Sequence, residues 1–124
     1  MRQIKFRAQD IASNKWLYGD LRHHKDDVCI FEQGGTKGEQ VKRDTIGQFV
    51  GLKDKNGKEI YEGDILDVNY ADEESRLEVR FVRGVFAFLW DGDLDDEFPC
   101  NAPTHEWAKV IGNIYDDPKL LKQH

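Results

Sequence analysis

Serine is scarce in this chain of 124 residues, limited to Ser13 and Ser75. Both sit among turn-forming residues without a Gly-x-Ser-x-Gly elbow, so acyl transfer by an activated serine has no motif behind it. Cysteine is as sparse. Cys29 and Cys100 stand far apart with no second pair to complete a zinc site, and two reduced, packed thiols are expected, a disulfide being the alternative. No Gly-x-x-x-x-Gly-Lys phosphate loop occurs, and no cofactor is expected. No apolar run approaches the ~20 residues of a membrane span, and Met1 to Arg7 lacks an apolar stretch of signal-peptide length. A cytosolic protein with no membrane partner follows as the expectation. Positive charge is also short: 18 Lys and Arg face 24 Asp and Glu, for a net charge of −6. That balance excludes a protein that coats DNA with a uniformly basic surface, while a local basic face stays open. Heptads, solenoid periods and low-complexity tracts are absent.

Aromatic residues are plentiful, with seven Phe, four Tyr and three Trp, enough large side chains to build a core in a chain that is 34% charged. The length fits one domain. Ile4, Phe6 and Ala8 alternate with Lys5 and Arg7, and a turn over Asp10 to Asn14 leads to Trp16, Leu17 and Tyr18, which reads as a hairpin. Val28 to Phe31 is a further short strand, closed by a flexible loop from Gly34 to Gly38. Later, Leu66, Val68 and Tyr70 share a face, residues 71–75 turn the chain, and Leu77, Val79 and Phe81 alternate with Arg76, Glu78 and Arg80. Val85 to Trp90 is apolar throughout and predicts a strand covered on both faces. Asp91 to Pro99 reads as an acidic loop, Trp107 to Tyr115 as a strand, and Pro118 as the start of a short terminal helix over Lys119 to Leu121. The sum is an all-β barrel or roll with one short C-terminal helix. A soft boundary near Asp44 separates an N-terminal hairpin region, residues 1–43, from the more regular residues 44–124, within one continuous globular unit.

Between two extended stretches, Asn56-Gly57 is a strong signal for a type I′ turn, because both central positions need positive φ. Lys53, Asp54, Lys55, Lys58 and Glu59 then decorate a solvated hairpin tip. Gly63-Asp64 reads as a second turn that redirects the chain, with Asp64 bonding nearby backbone amides and Leu66 entering the core.

Candidate chemistry is thin. Asp91, Asp93 and Asp95 have the first ligand spacings of a calcium loop, but Asp96 stands where glycine is needed and Ala102 where a bidentate Glu is needed. His23 and His24 are adjacent, and adjacent residues of a strand point to opposite faces, which suits one metal badly. His105 beside Glu106 reads as a surface pair rather than a general base. For nucleic acid, Arg76, Arg80 and Arg83 on a solvated strand face, Lys5 and Arg7 on another, and the nearby Phe86, Phe88 and Trp90 offer a basic groove with stacking platforms. The opposed reading places those aromatics in the core, with the arginines balanced by Glu73, Glu74 and Glu78.

Three stretches together carry a resemblance: Arg2-Gln3-Ile4-Lys5-Phe6-Arg7-Ala8, the long segment from Ile46 to Ile65 that contains Lys53-Asp54-Lys55-Asn56-Gly57-Lys58 and Tyr61-Glu62-Gly63-Asp64, and Val110-Ile111-Gly112-Asn113-Ile114-Tyr115. With these the chain resembles the YopX-like family of phage and prophage proteins. The resemblance implies a mainly β protein with an SH3-like C-terminal roll, encoded by phages or phage-derived regions and able to form oligomers. It implies no catalytic residues. The expected activity is non-enzymatic: binding of a host or phage protein or of a second copy, with a nucleic-acid accessory role as the alternative.

Overall fold

Alternating apolar residues become antiparallel sheets in the computed structural model, which describes residues 3–32, 35–70, 73–101 and 104–121. The chain divides into two compact units, Met1–Phe49 and Val50–His124.

In the first unit, β1 (Phe6–Gln9), β2 (Trp16–His24), β3 (Asp27–Phe31) and β4 (Gly38–Gln40) pair in the order β4-β3-β2-β1. The start of β5 (Gly47–Lys53) joins β1, with Phe6 opposite Gln48 and Arg7 opposite Gly47. Residues directly opposite share a face. Ala8 therefore lies beside Leu17, and Leu21 beside Ile30, and with Val28, Val41, Phe6 and Ile46 they make the core of this unit. A 3-10 turn at Arg43–Thr45 is tied in by the Thr45 hydroxyl, which accepts from the Gln9 amide at 3.0 Å and donates to the Lys42 carbonyl at 2.7 Å. Of the loop expected over Gly34 to Gly38, Gly34 lies outside the described residues and Gly38 opens β4. The Phe31 ring lies against Gly38 so closely that a Cβ there would stand 2.3 Å from Cε1. A side chain at that position would require the Phe31 ring to move.

The second unit contains the end of β5, then β6 (Glu59–Tyr61), β7 (Asp64–Tyr70), β8 (Glu73–Val82), β9 (Val85–Trp90), β10 (Glu97–Pro99), the single helical turn α1 (Thr104–Trp107) and β11 (Ala108–Asn113). The last five strands order as β10-β9-β8-β7-β11. Leu66, Val68, Leu77, Val79, Phe88, Ala108 and Val110 bury one face of this sheet against Ile60 of β6, with Val50 and Leu52 of β5 packed alongside. Each such Val, Leu, Ile or Phe side chain contributes about 1.5–3 kcal/mol relative to exposure. Phe88 is the hub, its ring centroid 5.3 Å from that of Phe98 and 6.3 Å from that of Trp107.

The mostly β reading holds, and of barrel or roll no closed barrel forms: the five-stranded sheet runs from β10 to β11 without closing on itself. Other boundaries move. Glu73 to Ser75, expected in a turn, pair along β7, and the rest of that turn, residues 71–72, lies outside the described residues. Glu97 to Pro99 forms a strand within the expected acidic loop, Trp107 closes α1, and the terminal helix is one 3-10 turn at Pro118–Leu120.

Candidate functional site

The Asn56-Gly57 segment is a different turn from the one its dipeptide suggests. Only Gly57 takes positive φ, at 81°; the Gly57 amide donates to the Asp54 carbonyl at 3.0 Å and the Asp54 amide to the Lys58 carbonyl at 2.8 Å. Three residues thus bridge the strands, a type I turn closed by one left-handed glycine. Asp54, assigned to a solvated tip, is buried at 2% exposure. Its Oδ1 accepts from the Asn56 and Lys58 amides at 2.9 and 2.8 Å, and its Oδ2 from the Val110 amide at 2.9 Å. Burial pushes this carboxyl upward, but the amides of Val110, Lys58 and Asn56, aided by the Lys58 charge, outweigh it and hold the pKa below its ordinary value. The Lys55 amide and the Thr104 hydroxyl add bonds to the Ala108 and Lys53 carbonyls. Asp54 fastens the β5–β6 hairpin to β11. The second turn has Gly63 at φ 93°, with its amide on the Val79 carbonyl, and a buried Asp64 whose carboxylate takes the Tyr61 amide at 2.7 Å. Leu66 enters the core beyond it.

Register separates the residues nominated for nucleic acid. Leu77 faces Trp90, Val79 faces Phe88 and Phe81 faces Phe86, whereas Arg80 faces Ala87. Arg76 and Arg80 therefore lie on the sheet face opposite to Phe86, Phe88 and Trp90. Phe88 is fully buried, and Trp90 packs on Phe98 at 5.8 Å. Each arginine has a partner inside the chain. Arg76 donates to the Leu120 carbonyl at 2.7 Å, Arg80 grips the buried Glu78 carboxylate with Nε and Nη2 at 2.6 and 2.8 Å, and Arg83 bonds Glu97. In the first unit, Lys5 lies over the Phe49 ring and the buried Arg7 over that of Trp16, 5.3 and 4.8 Å from the centroids.

The metal and catalytic candidates stay dispersed. His23 and His24, both exposed, occupy successive positions of β2, opposite Val28 and Asp27. His105 approaches Glu106 at 3.8 Å with both side chains exposed. Asp91 takes φ 50°, and Asp93 accepts the Asp95 amide at 2.9 Å, which closes a local turn. Among the described residues no three His, Cys, Asp or Glu side chains group as a metal would require. Both cysteines are free thiols, and burial pushes Cys100 up to about 12, out of the reactive range. No helix among the described residues is long and apolar enough to cross a membrane.

One surface feature was not anticipated. The core face of β8 runs on past the core to Phe81, 52% exposed, whose ring meets Phe86 edge-on at 5.2 Å. On the opposite face Val85, expected to be covered, is 53% exposed. Arg83 and Gly84 join the strands with φ 47° and 85°, so both central residues are left-handed, the type I′ geometry that Asn-Gly ordinarily supplies. Phe81-Val82-Arg83-Gly84-Val85-Phe86 is thus a hairpin end with one half-exposed apolar side chain on each face, Phe81 and Val85, while Val82 is buried. The readable signal was Arg-Gly between mirrored Phe-Val and Val-Phe pairs.

The family model for YopX protein matches residues 5–122. The chain is also similar to the crystal structure of protein EF1440 from Enterococcus faecalis, at 29% identity and a TM-score of 0.59, covering 98% of this chain and 100% of that one. No curated protein matches. With the Gly63-Asp64 turn, the Asp54 clamp and the Gly112-Asn113 strand end placed within one family match, the chain belongs to the YopX protein family.

Proposed function

We propose that this chain is a non-enzymatic protein-binding module of phage or prophage origin, an open SH3-like β-roll acting in the cytoplasm of the bacterium that carries the phage. It contacts a host or phage protein, or a second copy of itself, through the tip from Phe81 to Phe86. The observation that carries this reading is the half-exposed Phe81 and Val85 on opposite faces of one hairpin end. Exposed aromatic and aliphatic groups at the end of a sheet are of the kind with which protein interfaces anchor themselves. The buried carboxylates of Asp54 and Asp64 are engaged with backbone amides and that of Glu78 with Arg80, which fits a scaffold role. The aromatic strand being packed, with Arg76 and Arg80 on its far side, favours protein over nucleic acid as the partner.

Affinity capture from prophage-induced cells, with wild type and a Phe81→Ser/Val85→Ser variant side by side, tests the reading. Wild type is expected to retain a protein partner or a second copy that the variant loses. Recovery of monomer alone, or of the same proteins by both forms, overturns it.

A further inference from the structure

Of the five asparagines, only Asn56 is followed by glycine. An asparagine side chain is thermally labile because the next backbone amide can attack it, and a glycine there carries no side chain to obstruct the approach. We infer that Asn56-Gly57 is a site of spontaneous deamidation that the Asp54 clamp holds shut, reacting only from a form in which the β5–β6 hairpin has let go of β11. The co-reactant is water alone. The Gly57 amide nitrogen gives its proton to hydroxide and bonds to Asn56 Cγ, the Cγ–Nδ2 bond breaks, and Nδ2 leaves as ammonia with a proton taken back from water. Water then opens the five-membered imide at either carbonyl, which leaves aspartate or isoaspartate at position 56. Both residues are exposed, and no atom lies within 4 Å of where a Gly57 Cβ would stand, so solvent reaches the reacting pair.

Hydrogen bonding withholds the nucleophile. The Gly57 amide donates to the Asp54 carbonyl at 3.0 Å, and the proton in that bond is the one the attack must remove. On either side of it, the Asn56 and Lys58 amides both rest on Asp54 Oδ1, at 2.9 and 2.8 Å. The same carboxylate is fixed to β11 by the Val110 amide, and the Lys55 amide adds a second tie through the Ala108 carbonyl, both at 2.9 Å. Ring closure swings the Gly57 nitrogen onto the Asn56 side chain, which four consecutive engaged amides prevent until the hairpin opens locally. Each event is then one-way. Isoaspartate routes the main chain through the former side chain and adds a methylene between two amides that one carboxylate oxygen has to accept together, so the hairpin docks back less tightly. Asp91-Gly92 is the weaker site: a side-chain carboxylate accepts an amide nucleophile less readily than a side-chain amide does, and a Cβ on Gly92 would stand 3.0 Å from Glu78 Oε1 and 3.3 Å from Leu121 Cδ1.

Folded wild type, the same chain denatured in urea and a synthetic peptide of residues 51–60 are incubated side by side at mildly alkaline pH, and conversion at position 56 is read by peptide mapping with mass spectrometry. Hydrogen exchange on the folded sample reads how often the Lys58 and Val110 amides open. The folded chain is expected to convert at least about tenfold more slowly than the peptide, by a ratio that matches the open fraction of those two amides. Asp54→Asn should raise the folded rate at least about tenfold, Asn56→Gln should abolish conversion at position 56, and the converted fraction, separated by ion exchange, should unfold at a lower midpoint. Conversion of folded wild type at the peptide's rate would overturn the gate. So would a ratio that matches only the slowest-exchanging amides of β8, since release would then require global unfolding; that arm stands even if Asp54→Asn fails to fold. No conversion in the peptide or the denatured chain would overturn the site itself, and a converted fraction with an unchanged midpoint would overturn its effect on the clamp.

Discussion

At the scale of single residues, Asp54 shows how little a charge says about exposure. Its carboxylate takes three backbone amides, two local and one from Val110 in β11. The Asp54→Asn variant keeps the shape but loses charge-assisted bonds, and should cost about 2–4 kcal/mol in urea unfolding at neutral pH. The folded pKa is depressed, so the stabilisation is fully present above the ordinary value of 3.8 and is lost as pH falls through the lower folded value. Wild type should therefore lose its advantage over Asp54→Asn across that acidic window. An advantage that survives unchanged at lower pH would contradict the clamp. In the sequence, Lys53-Asp54-Lys55-Asn56-Gly57-Lys58 reads as a solvated tip because nothing local announces Val110 as a donor. Asp64 was more legible, since its acceptor role uses an amide three residues away.

Elements were legible where the apolar period coincided with burial. The alternation of Leu77 and Val79 is visible in the sequence and places both in the core, but Phe81 continues the same period beyond the point where the opposing layer covers it. A pattern fixes the face of a strand, and how far its cover extends is a tertiary property. The turn types show the same limit: Asn56-Gly57 forms a three-residue bridge, whereas Arg83-Gly84 adopts the two-residue turn. Arg83 holds φ 47° without the side chain that favours it, so Arg83→Asn should stabilise the protein by about 0.5–1 kcal/mol. A thermal unfolding midpoint that falls would count against the strain. At the end of β11, a Cβ on Gly112 would lie 2.5 Å from Asp117 Oδ2 and 3.0 Å from Leu120 Cδ1, where the Asp117 carboxylate accepts the Asn113 amide at 3.3 Å. Gly112→Ala should cost about 1–3 kcal/mol by denaturant unfolding, which gives the closing Gly112-Asn113 a packing reason.

At the scale of the whole molecule, strand content and family were within reach of the sequence, and barrel closure was not. Closure depends on which edges meet, and these edges are occupied or blunted: β10 is three residues long and ends in Pro99, while the Asp54 carboxylate and the Lys55 amide engage the backbone of β11. The same property favours the proposed hairpin end over strand addition as a contact surface. Phe81 and Val85 contribute little to the core, so the Phe81→Ser/Val85→Ser variant should unfold within about 0.5 kcal/mol of wild type even as it loses its partner.

The most direct measurement places a photoreactive phenylalanine analogue at position 85, or at the equally exposed Ile4 as a control, and irradiates prophage-induced cells. A covalent protein adduct from position 85 and none from position 4 is the predicted result. No adduct at 85, or the same adducts from both positions, would contradict the assignment of the hairpin tip as the binding surface.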